Sequence, residues 1–384
     1  MSMKVIVNNV MNKALTRGAM AVAKDADTCK IECGENRCIL STSDGKAAVS
    51  TVIGCETDGT DAKVGIYTSF MKLNATVSEM LRVSDTVALD IDDKKLVVSN
   101  RMASIELPLL QEDSFVNVEV SEQDTATEFA VDGHILKHSL TVASSCTSNK
   151  AEVTSYVGMR VYKDATLDIG GLSGCTAGLI RKVPVTFNKD RGLGDGVEWK
   201  DMLLFNARAK SLSGVLPSET VTVQIRGNAG YFIFGDDNIQ SIIILPLSTV
   251  NGGEWKMRGS FDSILHNFKS ELHLKCKKKE LENALSMIFC GSKIVDGDDA
   301  GKYGVKVTFT DKAMHLDSIN GITSVELPCE GSGNWPGPLK YNATLVKDVV
   351  SLIEGSEINL YTTEKGEMIV FQEGTVSVLV LGIK

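Results

Sequence analysis

The chain has 384 residues, 43% of them hydrophobic, and a formal net charge of −9. That length accommodates several domains with cores of their own, and the acidic balance taken alone argues against nucleic acid as a partner. No stretch is apolar and long enough to span a membrane, and no N-terminal run reads as a signal peptide. Nine cysteines, an odd number with no framework spacing, suit a reducing, cytoplasmic setting rather than a disulfide scaffold.

The first predicted strand is the alternating Lys4-Val5-Ile6-Val7. A helix is predicted over 8–24, where Val10, Met11, Ala14, Leu15, Ala19 and Val22 form an apolar stripe at helical spacing. Strand-and-turn sequence follows through Cys38 to Val52, broken at Asp44-Gly45, and a second helix is predicted over 67–82. Strands at 86–92 and 95–99 lead to the closing run Ser104-Ile105-Glu106-Leu107-Pro108-Leu109. The order then restarts with the strand Glu128–Val131, a helix over 132–148, a helix over 200–215 and a closing strand over 241–247. A third round opens at Leu272–Lys275, has helices over 278–292 and 342–354, and closes with the apolar run 376–383.

The closing strands recur at roughly 135–140 residues, far beyond the periods of about 20–50 that mark solenoids. A period of that size is a whole domain. The chain therefore reads as three tandem α+β domains, 1–123, 124–258 and 259–384, each an antiparallel sheet with one face covered by two helices. Asn251-Gly252-Gly253 and the stretch after it read as a linker.

Chemistry-bearing motifs are scarce. The phosphate-binding G-x-x-x-x-G-K-[ST], H-E-x-x-H and G-x-S-x-G patterns are absent, so a non-catalytic protein without a cofactor or metal is expected. Cys29, Cys33 and Cys38 match no zinc spacing and read as small buried residues of a sheet. His134 and His138 lie four apart on a helix with no acidic neighbour in sequence, and read as a polar face. Gly192 to Gly196 reads as a surface loop.

Charge is more specific. Counted over 8–24, 67–82, 132–150, 200–215, 277–293 and 342–354, the six helical segments with their flanks carry fifteen Lys and Arg against seven Asp and Glu, a net of +8 that leaves −17 on the remainder. Lys13, Arg17 and Lys24 share the face opposite the apolar stripe of the first segment, and Lys72, Lys137, Arg208, Lys210 and Lys278 extend the pattern. One basic helix is an ordinary solvated face. Segregation over all six suits helices that face phosphates while acidic sheets face solvent.

The chain resembles the bacterial DNA sliding clamps, the beta subunit of DNA polymerase III. The resemblance runs from Met3 to the C-terminus and is strongest over Leu339 to Glu354 and the apolar terminus Val378-Leu379-Val380-Leu381-Gly382-Ile383. In the first repeat Leu40-Ser41-Thr42-Ser43-Asp44 and the run Ile105 to Phe115 are similar to clamp domain one, and in the second Tyr156-Val157-Gly158-Met159 and Leu167 to Ile180 match in place. Where clamps carry a Gly-His-Arg-Leu signature this chain reads Gly174-Cys175-Thr176-Ala177, and Leu381 stands where they carry a proline. The pattern is that of a divergent member.

The resemblance implies a head-to-tail homodimer whose six domains close a ring around duplex DNA, helices inside and sheets outside. It implies sequence-blind phosphate contacts from Lys13, Arg17, Lys24, Lys72, Lys137, Arg208, Lys210 and Lys278. It implies a seam formed by Phe115 of one subunit against Ile288 and Phe289 of the other. It also implies an apolar groove for short peptides of the polymerase III catalytic subunit, the clamp loader and other DNA-processing proteins. By position that groove comprises Tyr156, Leu172, Gly174, Ala177, Asn342, Leu345, Val378, Leu379, Val380, Leu381 and Ile383. A second reading is a clamp-fold paralogue, of plasmid or phage type, that binds and regulates without being loaded as a ring.

Overall fold

The computed structural model describes residues 3–57, 63–92, 94–118, 127–148, 153–266, 273–296, 304–310, 312–332, 338–362 and 367–382. The first repeat contains β1 (Met3–Asn8), α1 (Val10–Gly18), β2 (Thr28–Gly34), β3 (Arg37–Ser43), β4 (Ala48–Gly54), β5 (Glu56–Thr57) and β6 (Val64–Ser69). It continues with α2 (Phe70–Val83), β7 (Thr86–Ile91), β8 (Lys95–Ser99) and β9 (Ser104–Pro108). The second contains β10 (Thr127–Asp132), α3 (Gly133–Ser145), β11 (Tyr156–Tyr162), β12 (Thr166–Leu172), β13 (Thr176–Phe187) and β14 (Trp199–Phe205). After these come α4 (Asn206–Val215), β15 (Thr220–Arg226), β16 (Ala229–Gly235) and β17 (Ile239–Pro246).

A helix absent from the sequence-based reading, α5 (Met257–His266), follows. The third repeat contains β18 (His273–Lys277), α6 (Lys278–Asp296), β19 (Gly304–Phe309), β20 (Ala313–Ser318), β21 (Ser324–Pro328), β22 (Glu330–Ser332) and β23 (Leu339–Asn342). It ends with α7 (Ala343–Ser351), β24 (Glu357–Thr362), β25 (Met368–Glu373) and β26 (Val376–Leu381).

One pairing rule is repeated three times. The opening strand of each repeat lies antiparallel to the strand after its second helix: β1 with β7, β10 with β15, and β18 with β24. From that strand a meander runs outward, β7-β8-β9, β15-β16-β17 and β24-β25-β26. Burial alternates along β1, β7, β8 and β17, as in the B-e-B-i-B-e pattern of β1, so one face of these strands packs inward and the other faces outward, whereas consecutive residues of β16 and β26 are buried. Two predicted helices begin later than expected. Residues 67–69 finish β6, where the Ser69 side chain caps α2 by accepting from the Lys72 amide at 3.3 Å, and residues 200–205 belong to β14.

The chain divides into two compact units, Met1–Lys137 with Val185–Val197 and Ser211–Ser248, and His138–Pro184 with Glu198–Lys210 and Thr249–Lys384. In the first unit, α1 and α2 bury Met11, Leu15, Phe70, Leu73 and Val77 against Val5, Val7, Leu89 and Leu96. There β17, the last strand of the second repeat, pairs antiparallel with β4 over six positions, from Ile239 opposite Ile53 to Ile244 opposite Ala48. In the second unit β26, the last strand of the third repeat, pairs antiparallel with β13, from Thr176 opposite Val380 to Ile180 opposite Val376. In each case the last strand of one repeat joins the third strand of the run between the two helices of the repeat before it, β2-β3-β4 or β11-β12-β13. Two strands of these same kinds remain as sheet edges: β9, at the end of β5-β1-β7-β8-β9, and β21, at the end of β21-β20-β19-β23.

Candidate functional site

In the second unit an apolar cluster forms where β13 meets β26. Ala177 lies directly opposite Leu379, and both pack with Leu179, Leu203, Trp255, Phe261 and Val370. Half-buried Tyr156, Leu172, Met257, Tyr361 and Met368 rim the cluster. Four residues of the expected groove therefore come together: Tyr156, Leu172, Ala177 and Leu379. Gly174 is exposed in the turn between β12 and β13, and Leu381 is partly exposed where its amide donates to the Cys175 carbonyl at 3.0 Å.

Val378 and Val380 are corrections to the expected groove. Successive side chains of a strand point to opposite faces, so these two turn away from Leu379 and are completely buried. Asn342 and Leu345 stand outside the cluster: the Asn342 side chain caps α7 by accepting from the Leu345 amide at 3.1 Å. Ile383 lies outside the described residues.

The largest side chains of the cluster come from the stretch expected to be plain linker. Asn251 (φ 56°), Gly252 (φ 72°) and Gly253 (φ 82°) are all left-handed, a turn that glycine and asparagine make at little steric cost. That turn delivers Trp255, only 3% exposed, and α5 then brings Phe261 edge-on to it, centroids 6.0 Å apart. The indole rests on two glycines that face each other across β11 and β12, Gly158 and Gly170. A Cβ built on Gly158 would stand 2.2 Å from the indole and one on Gly170 3.2 Å from it, so the pair makes a floor that only glycine can provide. The signal was present in Met257 and Phe261, one helical turn apart, and was masked by the glycines on either side.

Charged side chains fix this segment. Arg160 grips Asp201 through two hydrogen bonds of 2.6 and 2.7 Å, and Asp201 also accepts from the Trp255 amide at 2.9 Å. Arg258, at the first turn of α5, reaches buried Asp168 with contacts of 2.9 and 2.7 Å, and Asp262 at 2.5 Å. Asp168 accepts as well from the Lys182 amide at 2.8 Å. Burial alone would lower the Arg258 pKa, but Asp262 and Asp168 outweigh it and the guanidinium stays charged. Such bidentate, desolvated pairs hold geometry more firmly than surface ion pairs do. The space left beside Tyr156, Gly171, Leu172, Leu203 and Trp255 amounts to about 20 Å³.

Of the expected phosphate-facing residues, Lys13, Lys24, Lys72, Lys137 and Lys210 are exposed and Arg208 is half-buried. Lys278 is half-buried, donates to the Ile353 carbonyl and pairs with Glu282 at 3.5 Å. Arg17 is a correction. It is 7% exposed, donates to the Ser241 hydroxyl at 2.9 Å and lies over the Phe234 ring at 4.8 Å, because β17 covers the side of α1 that the sequence left for solvent. His138 has an acidic partner after all, Glu354 at 3.1 Å. Among the described residues no group of three or more His, Cys, Asp or Glu is arranged to hold a metal, and no helix is long and apolar enough to cross a membrane.

Ile288 is a second correction. It is completely buried with Leu281, Ala284, Leu285 and Ser292 on the inner stripe of α6, and so is a core residue. Phe289 is half-buried with the Lys347 ammonium 5.7 Å from its ring, and half-buried Phe115 packs at 5.9 Å on Tyr67. The apolar surface lies elsewhere: Met287 and Ile294 on α6, Ile319 and Ile322 beside β21, and Ile105 on β9 are all exposed.

No family model and no curated protein sequence matches the chain. Solved structures do match it along its whole length. A putative DNA polymerase III beta subunit from Eubacterium rectale aligns with 100% of both chains at a TM-score of 0.76 and 16% identity. The beta subunit from Thermotoga maritima aligns with 100% of this chain and 99% of its own, at 0.76 and 16%. The Helicobacter pylori beta clamp, solved with a DNA ligase peptide bound, aligns over 99% of both at 0.78 and 14%. The fold of this chain is that of the sliding clamps.

Proposed function

We propose that this protein is a DNA sliding clamp, a non-catalytic processivity factor that closes as a head-to-tail homodimer around duplex DNA. The observation that carries the reading is the pair of unused sheet edges. Twice within the chain a last strand pairs with a third strand of the preceding repeat, β17 on β4 and β26 on β13. The one remaining last strand is β9 and the one remaining third strand is β21. Placing β9 of one copy on β21 of another applies the same rule a third time, and doing so at both ends closes a two-chain ring of six domains, bounded near 1–123, 124–258 and 259–384. The exposed Ile105, Ile319 and Ile322 would then be covered.

Exposed Lys13, Lys24, Lys72, Lys137 and Lys210 support contact with phosphates, which holds a duplex without selecting a base sequence. The cluster around Leu379 is the place for short apolar peptides of a polymerase catalytic subunit, a clamp loader or a repair protein, as the Helicobacter pylori clamp binds a ligase peptide. The setting is the cytoplasm. The test is solution mass together with retention on DNA. A dimer that stays on nicked circular plasmid and runs off once the plasmid is linearised is expected. A monomer, or retention unaffected by linearisation, would overturn topological binding and favour a clamp-fold regulatory protein.

A further inference from the structure

We infer that Trp255 is a built-in occupant of the peptide groove, so that a peptide docks in the deep pocket only when the indole leaves it. The inference rests on the peptide-docking reading above and adds what controls it. The groove residues Ala177 and Leu379 are covered by Trp255 and Phe261, which the chain itself supplies. The cavity beside the indole, about 20 Å³, is lined by Tyr156, Leu172, Trp255 and Phe261 and not by Ala177 or Leu379, and has room for about one water.

The occupant is built in rather than incidental. Its floor is the glycine pair Gly158 and Gly170, which no side chain could replace without touching the ring. Its backbone is tied at the amide to Asp201, itself held by Arg160, and α5 is tied through Arg258 to Asp168. A left-handed turn at 251–253 precedes it, and with the backbone held at the Trp255 amide the indole leaves by rotation of its own side chain. Both ties lie outside the apolar cluster, so the indole can leave its pocket while the Arg160–Asp201 pair stays intact.

A protein whose binding-competent state is populated at a tenth or less binds about tenfold or more weakly than its open form. Trp255 thereby sets which peptides bind: those with bulky anchors must displace the indole, and those with small residues at that position gain nothing from doing so.

The test is titration of a fluorescein-labelled peptide carrying adjacent leucine and phenylalanine anchors into the full-length protein. The variants are Trp255→Ala, which removes the occupant, and Gly158→Ala, which evicts it by adding a methyl group to its floor. Circular dichroism checks folding, and Leu379→Asp in the Trp255→Ala background checks location. Tighter binding by either folded variant, by about tenfold or more, abolished by Leu379→Asp, is the expected result. Equal binding by wild type and both variants would overturn the occupant while leaving the groove standing. No binding by any protein would overturn both. A tryptophan emission maximum in Trp199→Phe/Trp335→Phe protein that stays blue when saturating peptide is bound would also overturn it, because the indole would not have moved into water.

Discussion

The Arg17 guanidinium donates to the Ser241 hydroxyl at 2.9 Å across 224 residues of sequence. Ser241 also shares a 2.7 Å hydrogen bond with Thr51, so α1 of the first repeat, β4 and β17 of the second meet at one buried polar point. Burial lowers the Arg17 pKa, and Asp236 and Glu219 act against that fall. Arg17→Ala is expected to destabilise the first unit by about 1–3 kcal/mol, through lost hydrogen bonds and an unfilled cavity. Its effect on the salt dependence of DNA binding should be nil, whereas Lys13→Ala should reduce the slope of log K against log salt by about one. Urea midpoints and binding at several salt concentrations separate the two roles.

Ring closure through β9 and β21 gives a sharper test than substitution of α6. Ile105→Lys with Ile322→Lys places charges at the two open edges, a device that blocks strand pairing. Light scattering should report a monomer with an unchanged circular dichroism spectrum. Ile288→Ala should instead lower stability by about 2–5 kcal/mol with little direct effect on association, as expected for a buried aliphatic residue.

All nine cysteines are free, but only Cys175 and Cys290 are exposed. Burial pushes the thiols of Cys29, Cys146 and Cys276 up to about 12, and Cys38 is raised by its hydrogen bond with Cys33 and by burial. Because the thiolate is the nucleophile, a disulfide reagent at pH 7.5 should modify two sites quickly in native protein and nine after denaturation. Cys290 lies on α6 between Phe289 and Gly291, so its labelling should slow as protein concentration rises if α6 approaches the seam. Cys175, beside Leu381, should be protected by bound peptide instead.

Glu128 supplies a pH signature in the first unit. Hydrogen bonding from Asn188, opposed by burial and reinforced by Arg191 and Gln224, holds its carboxyl below the usual range. A depressed folded pKa stabilises above the unfolded value, about 4.3, and that stability is lost as pH falls through the folded value. Glu128→Gln should therefore flatten the decline of the urea midpoint below about pH 4 and lower it at neutral pH. Identical pH profiles for the two proteins would remove Glu128 from the account.

The triplication was legible because a short apolar closing run recurs at the end of each repeat, and all three runs form strands, Ser104–Pro108, Ile239–Pro246 and Val376–Leu381. Helix starts were less so: Tyr67 and Lys200 lie in strands that run straight into α2 and α4, with no glycine or proline to mark the change. Arg17 was misplaced because amphipathicity records one buried face of a helix, and α1 has a second covered by β17. Trp255 escaped notice because its pocket is built from Gly158 and Gly170, and the absence of a side chain carries no periodic signal. Val378, Leu379 and Val380 were all placed in the groove by position, because both faces of that strand are apolar in sequence; only the packing, with Leu379 on the face of Ala177 and the two valines on the other, separates them.

The open edges β9 and β21 carry almost the same five residues, Ser-Ile-Glu-Leu-Pro and Ser-Val-Glu-Leu-Pro, yet occupy different places in their repeats. Association through unlike edges is heterologous, and a heterologous contact has no intrinsic stopping point. In the proposed ring, closure at two chains instead of an endless filament is set by the strand pairing at the seams β4–β17 and β13–β26. Substitutions that alter the strand twist there, far from either edge, would lengthen the assembly rather than weaken it.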